Sequence, residues 1–426
     1  MTLIKRSAFF VLILLLFSGS AAALSGKDYL IYSPNITNEE SSSWLEFSYD
    51  FVLHGDNLVW DNTWSEKNTA VGNAGDNLFL MNISTNTTTE IYHVPRTGDP
   101  YFVAAPLSVS DNYIAWPEEG NNNIFLYSLS GQDVHQVTTD GTAPDARDMW
   151  INANPVVDGD RLVWAKKNPW GTNNYTLAIE NLTTGTFTTI SVAPGDQDQA
   201  NPSISGNLIT WSDRRNQSDD GDIYLFDLNT SRETPVCVGP GGHKYPKISR
   251  TTLVWRDYRD GTPSVYLYNL TTHTESRISD PQSIAGEPYV SGNFVVWQES
   301  SVFDTRDERA SWISVYSLAT GAREILPVST DFPQLFGFDN NRILYANPDD
   351  KSLEEGYVHV YVIDTPVPVI VPAGENATAN ESDQGVVAAG MIPVEETPVR
   401  QSPVPMTAIL MAVGCGILIY QKRSSR

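Results

Sequence analysis

Cysteine is nearly absent from this chain: two in 426 residues, Cys237 in mid-sequence and Cys415 in an apolar C-terminal run. A disulfide framework is thereby excluded, and Cys237 reads as a small core residue. Positive charge is scarce as well, with 27 Lys and Arg against 51 Asp and Glu and a formal net charge of −24. Such a surface repels a phosphate backbone, so nucleic acid is excluded as a partner. The six histidines, His54, His93, His135, His243, His273 and His359, are dispersed and show no His-Glu-x-x-His spacing. Neither a Gly-x-Ser-x-Gly elbow nor a Ser-x-Asp-x-Gly box occurs. The expectation is a chain with no catalytic residues, no metal and no cofactor, a divalent cation such as calcium being the weaker alternative.

Long apolar runs are confined to the two ends. Lys5 and Arg6 precede an apolar stretch over 8–17 and small residues over 18–23, the order of a secretory signal, which predicts a signal peptide over 1–23. Residues 406–420 are apolar and uncharged, and Gln-Lys-Arg-Ser-Ser-Arg follows. As a helix this run reaches about 22 Å, short of the roughly 30 Å hydrocarbon core. A C-terminal membrane helix over 405–421 with a basic cytoplasmic end at 422–426 is the first reading, and a sorting tail that is removed is the second. Residues 365–404, rich in Pro, Val, Thr and Glu, read as a disordered stalk. Export gives meaning to the Asn-x-Ser/Thr triplets at Asn35, Asn82, Asn86, Asn174, Asn181, Asn216, Asn229, Asn269, Asn376 and Asn380, which are candidate glycosylation acceptors.

What fills the middle is a repeat. One phrase recurs seven times, ending at Trp60, Trp116, Trp164, Trp211, Trp255, Trp297 and Tyr345, with anchors 42 to 56 residues apart. That period belongs to a propeller blade rather than a helical solenoid. Within each repeat a short strand leads to a two-residue turn such as Gly159-Asp160, then an apolar strand closes on the anchor aromatic. A third strand alternates, as in Ile223-Tyr224-Leu225-Phe226-Asp227-Leu228, and a second tight turn precedes a fourth. The reading is an all-β, seven-bladed β-propeller of four-stranded antiparallel blades over 27–364. The last repeat lacks a convincing fourth strand of its own, because prolines interrupt 366–371. The segment 29–32 is expected to supply it.

The repeat wording resembles the TolB-type propellers, and most closely the repeat family of surface proteins of methanogenic archaea. Asn201-Pro202-Ser203-Ile204-Ser205-Gly206-Asn207, Trp211-Ser212-Asp213-Arg214-Arg215 and Asp222 to Leu228 carry the resemblance, and Tyr245-Pro246, Trp255-Arg256-Asp257 and Arg259-Asp260-Gly261 repeat it one blade later. It covers 28–364, with degenerate first and last repeats. The resemblance implies the fold and a cell-surface role, and it brings no catalytic motif.

In such a blade the two tight turns open on one face, while the remaining loop and the link to the next blade open on the other. The variable spans 63–77, 139–154, 212–221 and 300–311 therefore share one face, where binding residues belong. Three constellations there are candidates. Asn154, Asn201, Tyr245 and Glu287, with Asp50, precede the inner strands and should ring the channel mouth; they either meet a ligand or shape the turn before the strand. Asp213 and Arg214 beside Asp257 and Arg259 either clamp an anionic ligand or pair structurally between blades. Asp140, Asp145 and Asp148 near Trp150, and Asp196 with Asp198, are acidic but lack calcium-loop spacing.

These features suit a non-catalytic cell-surface propeller that binds a glycan, protein or envelope component through its loop face and is held at the membrane by its C-terminus. Two alternatives stay open: a metal-dependent carbohydrate lyase or hydrolase with its site at the channel mouth, and a structural envelope component without a discrete ligand.

Overall fold

A computed structural model describes residues 24–32, 51–65, 74–94, 102–103, 106–119, 123–141, 152–167, 175–191, 201–215, 221–301, 311–328, 333–346 and 357–364. All belong to one compact unit. The expected signal peptide, stalk, membrane segment and basic end lie outside the described residues.

Seven separate antiparallel sheets form, and in all but the last the strands follow sequence order across the sheet. Blade 5 shows the pattern: His243–Ser249, Thr252–Asp257, Ser264–Asn269 and Thr274–Arg277. The hairpin turn from inner to second strand places Gly55, Gly159, Gly206 and Gly292 at φ values of 56° to 59°, the left-handed backbone that glycine adopts freely. Blade 2 departs from the scheme. Its inner strand is split into Phe102–Val103 and Ser108–Val109, both paired to Tyr113–Glu119. Pro106 falls in the gap, and proline has no N–H to continue a ladder.

Ring closure follows the expectation and extends it. Gly26–Tyr32 pairs antiparallel with Tyr357–Ile363 over its whole length, from Gly26 opposite Ile363 to Tyr32 opposite Tyr357. Blade 7 is thus made of three strands from the end of the array and one from its start.

The anchor aromatics are all core, each at most 2% exposed. Each of the six seams with an apolar cluster packs an anchor against the preceding blade. Trp116 lies with Val59 and Leu78 of blade 1, Trp297 with Val254, Val265 and Leu267 of blade 5, and Trp60 with Leu344 and Val360 of blade 7. In five blades the residue directly across on the third strand is an aromatic stacked on the anchor, as for Trp211 and Tyr224, 6.1 Å apart at 22°. Large flat side chains bury much area, so the anchor of this repeated pair is a large contributor to each of these seams. The aromatic phrase is a packing device.

A collar of hydrogen bonds also runs around the tight-turn end. The side chain closing one inner strand accepts from the turn of the next blade: Gly206 N–H to Asp158, Arg250 N–H to Ser205 at 2.9 Å, Asn340 N–H to Ser291 at 2.9 Å and Gly55 N–H to Asp339 at 2.8 Å. These bonds satisfy turn amides that the ladders leave unpaired.

Candidate functional site

The ring residues sit where the inner strands are irregular. Bulges interrupt pairing between Ala153 and Val156, between Lys244 and Lys247, and between Ala285 and Pro288. Asn154, Tyr245 and Glu287 fall inside these bulges, and Asn201 stands at the same point ahead of Ser203–Ser205. Asn154, Asn201 and Tyr245 have φ of 52°, 36° and 55°. An extra residue in an inner strand re-aims its side chain, which explains the placement at the strand's entrance. Asn tolerates left-handed backbone; a bulky tyrosine there is an outlier. Asn154 is buried, Asn201 and Tyr245 are half-buried and Glu287 is exposed. Asp50 lies outside the described residues.

Charge at the mouth is concentrated between blades 5 and 6. Burial pushes the Glu287 carboxyl above its usual range against the pull of Lys247 and Arg256. Burial pushes the Lys247 ammonium down, with Glu287 acting in the opposite direction. Glu287 is nonetheless exposed taken as a whole residue.

The Asp–Arg constellation is interior, and its pairing differs from the expected link between blades. Asp213 accepts from Trp211 Nε1 at 3.2 Å and from Arg215, whose guanidinium also reaches Glu233 and covers the Tyr224 ring at 4.0 Å. All these residues belong to blade 4. Asp257 repeats the scheme in blade 5, accepting from Trp255 Nε1 at 2.8 Å and from Arg259, which reaches Glu275 at 2.7 Å. The pairing is intra-blade because the Trp-x-Asp spacing puts the carboxylate on the anchor's own face, one step along the strand. Arg214 is half-buried between the two paired residues. Blade 6 builds an equivalent node differently: buried Glu299 accepts from Ser283, Trp312, Ser314 and Arg323, the arginine arriving from the fourth strand.

Cys237 is more than a core filler. Its sulfur, His243 and Asp257 bring three ligand-type atoms within 4.8 Å of one another, all buried. Donor capacity decides what this group holds. Both oxygens of Asp257 already accept from Trp255 Nε1 and from the backbone and guanidinium of Arg259. Nη2 of that same guanidinium lies 3.0 Å from Cys237 Sγ. Arg259 is the resident cation here, and His243 Nδ1 is engaged by the Gly221 carbonyl at 3.2 Å.

Of the acidic loops only Asp140 is described. It accepts from Asn152 at 3.1 Å and pairs with Lys166; burial raises its carboxyl, but these partners outweigh that and hold it below the usual range. Asp145, Asp148, Trp150, Asp196 and Asp198 lie outside the described residues. Among the sequons, Asn82, Asn181 and Asn269 start the second tight turn, each accepting turn N–H groups on Oδ1. The Asn181 amide also donates to Asp160 at 2.7 Å, whereas Asn86 and Asn229 are exposed. Asn35, Asn174, Asn216, Asn376 and Asn380 lie outside the described residues.

The variable face thus combines a bulged polar ring with a charged sector, and the sequence pointed to the ring but not to Lys247 or Arg256. No protein-family model and no curated protein matches the chain. Solved structures do. TolB from Agrobacterium tumefaciens is 17% identical with a TM-score of 0.41, over 68% of this chain and 98% of that one. Oligogalacturonate lyase from Vibrio parahaemolyticus is 12% identical with a TM-score of 0.47, over 81% and 97%. An acylaminoacyl peptidase from Pyrococcus horikoshii is 13% identical with a TM-score of 0.50, over 76% of this chain and 51% of that one. At these identities the likeness is one of fold.

Proposed function

We propose that the chain is a non-catalytic cell-surface propeller of the repeat type found in surface proteins of methanogenic archaea, binding a glycan, protein or envelope component at the loop-face mouth of its channel. In this reading it is exported, glycosylated at exposed sequons such as Asn86 and Asn229, and held by its C-terminal segment. The observation that carries the reading is Tyr245. A tyrosine at φ 55° costs roughly 1 kcal/mol or more against glycine. Stored strain of this kind clusters at ligand clamps, and here it falls within the polar ring beside Lys244 and Lys247.

The test uses the full chain on a glycan array and against envelope fractions, beside Tyr245→Gly. Specific capture that Tyr245→Gly loses, with a melting temperature equal to or above the parent's, supports a recognition ring. Absence of any capture from array and fractions sinks the binding reading and leaves a structural envelope role.

A further inference from the structure

Most half-buried arginines of this protein whose partners are described are matched with carboxylates. Arg215 has Asp213 and Glu233, Arg259 has Asp257 and Glu275, Arg277 has Asp260, Arg323 has Asp280 and Glu299, and Arg342 has Asp56. With nearly twice as many acids as bases in the chain, this matching is expected. Arg256 breaks the rule. Among the described residues its only recorded contact is the Tyr258 ring, 5.1 Å from the guanidinium carbon. Its Nε is buried with no acceptor.

Register shows what Arg256 faces. Directly paired residues of antiparallel strands share a face, as do residues two apart on one strand. Val254 is paired with Lys247, and Arg256 with Lys244. Val254 packs in the cluster that holds Trp297 of blade 6. Arg256, Lys247 and Lys244 therefore lie on the side of blade 5 that meets blade 6, beside Glu287 in that blade's inner-strand bulge. Glu287 acts electrostatically on both Lys247 and Arg256 but is in direct ion-pair contact with neither. Lys244 and Arg256 both approach the Tyr258 ring, at 5.5 Å and 5.1 Å.

We infer that Arg256 and Lys247 form a receptor for one ligand carboxylate at the channel mouth between blades 5 and 6. No described carboxylate pairs with Arg256, and a guanidinium without its acceptor is a bidentate donor that a planar carboxylate matches. Shape selects the ligand: the cationic Arg256 and Lys247 call for an anion, and the planar guanidinium matches the two coplanar oxygens of a carboxylate better than a tetrahedral phosphate. The sector thus gives the proposed binding ring a chemical class of ligand, and it rests on that reading only for its location.

Calorimetric titration of the full chain decides it, with galacturonate and N-acetylglycine as two carriers of the group, galactose as the neutral match, and inorganic phosphate. Binding of either carboxylate but not galactose is expected. Arg256→Gln should weaken it roughly tenfold or more, Lys247→Met should weaken it too, and the exposed Arg232→Gln should leave it unchanged. Arg256→Lys keeps the charge and removes the fork, so a loss there with an unaltered melting temperature separates recognition from folding. Which carrier binds more tightly tells whether a sugar or a chain terminus presents the group. No heat from either carboxylate, binding indifferent to Arg256→Gln and Lys247→Met, or phosphate binding as tightly as carboxylate would each overturn the inference. Array capture that survives Arg256→Gln would overturn it while leaving loop-face binding intact.

Discussion

Tyr345 donates its hydroxyl proton to Asp28 Oδ2 at 2.8 Å, joining residues 317 positions apart across the seam that closes the ring. His359 Nδ1 lies 3.2 Å from the same oxygen, and its ring stacks on Tyr345 at 4.8 Å. The last anchor is a tyrosine where the others are tryptophans, and its hydroxyl engages the one strand supplied from the opposite end of the array. Tyr345→Phe keeps the buried ring and deletes this bond, so it should cost about 1 kcal/mol. Asp28→Ala should cost a similar amount, and the double variant should cost less than the sum of the two. Chemical denaturation of the four proteins gives the coupling energy; strictly additive losses would show that the bond contributes nothing to closure. Removing 26–32 should do more, exposing Tyr357–Ile363 as an unpaired edge that promotes self-association.

The scaffold was legible because a propeller repeats its needs. Each blade requires an anchor, a glycine turn and an alternating third strand, so periodicity revealed all three, and the missing fourth strand of the last repeat pointed to the N-terminus. Pairing was less legible. Asp213 and Arg215 are two residues apart, but the second carboxylate on Arg215 is Glu233, a full strand later. Only the coiling of the blade reveals whether such a charge is matched. Arg256 looks in sequence like its matched neighbours, and its lack of a partner follows from strand register and from which blade it faces. Tyr245 is visible as a ring residue, but its backbone strain is not, since the proline that follows it in Lys-Tyr-Pro favours extended backbone and the left-handed conformation comes from the bulge.

Acid sensitivity should centre on Glu299. Its side chain is fully buried and ion-paired with Arg323 at 2.6 Å. Burial pushes its carboxyl up, but the Ser314 hydroxyl at 2.6 Å, the Arg323 charge and the Asp280 N–H outweigh burial and hold it below the ordinary value of 4.5. A carboxylate depressed in the folded state adds stability that is present above 4.5 and drains away as pH falls through the folded-state value. Glu299→Gln leaves Asp280 as the one charged partner of Arg323 among the described residues and should cost about 2 kcal/mol near neutrality. That variant should also lose stability less steeply than the parent below 4.5. Parallel acid dependences in the two proteins would place the acid-labile group elsewhere.

The inner hairpin turn of blade 5 carries Arg250 at φ 54°, where four other blades place glycine at 56° to 59°. Its backbone N–H donates to Ser205 at 2.9 Å, so the backbone position is held by the collar while the side chain is exposed. Left-handed backbone costs a non-glycine residue roughly 1 kcal/mol, and glycine's greater freedom in the unfolded chain returns part of that. Arg250→Gly should therefore stabilise the fold by about 0.5 kcal/mol, read as a higher denaturation midpoint with an unchanged slope. Ser205→Ala removes the acceptor and should lower the midpoint in either background. A lower midpoint for Arg250→Gly would mean that the arginine side chain makes a contribution larger than the strain it imposes.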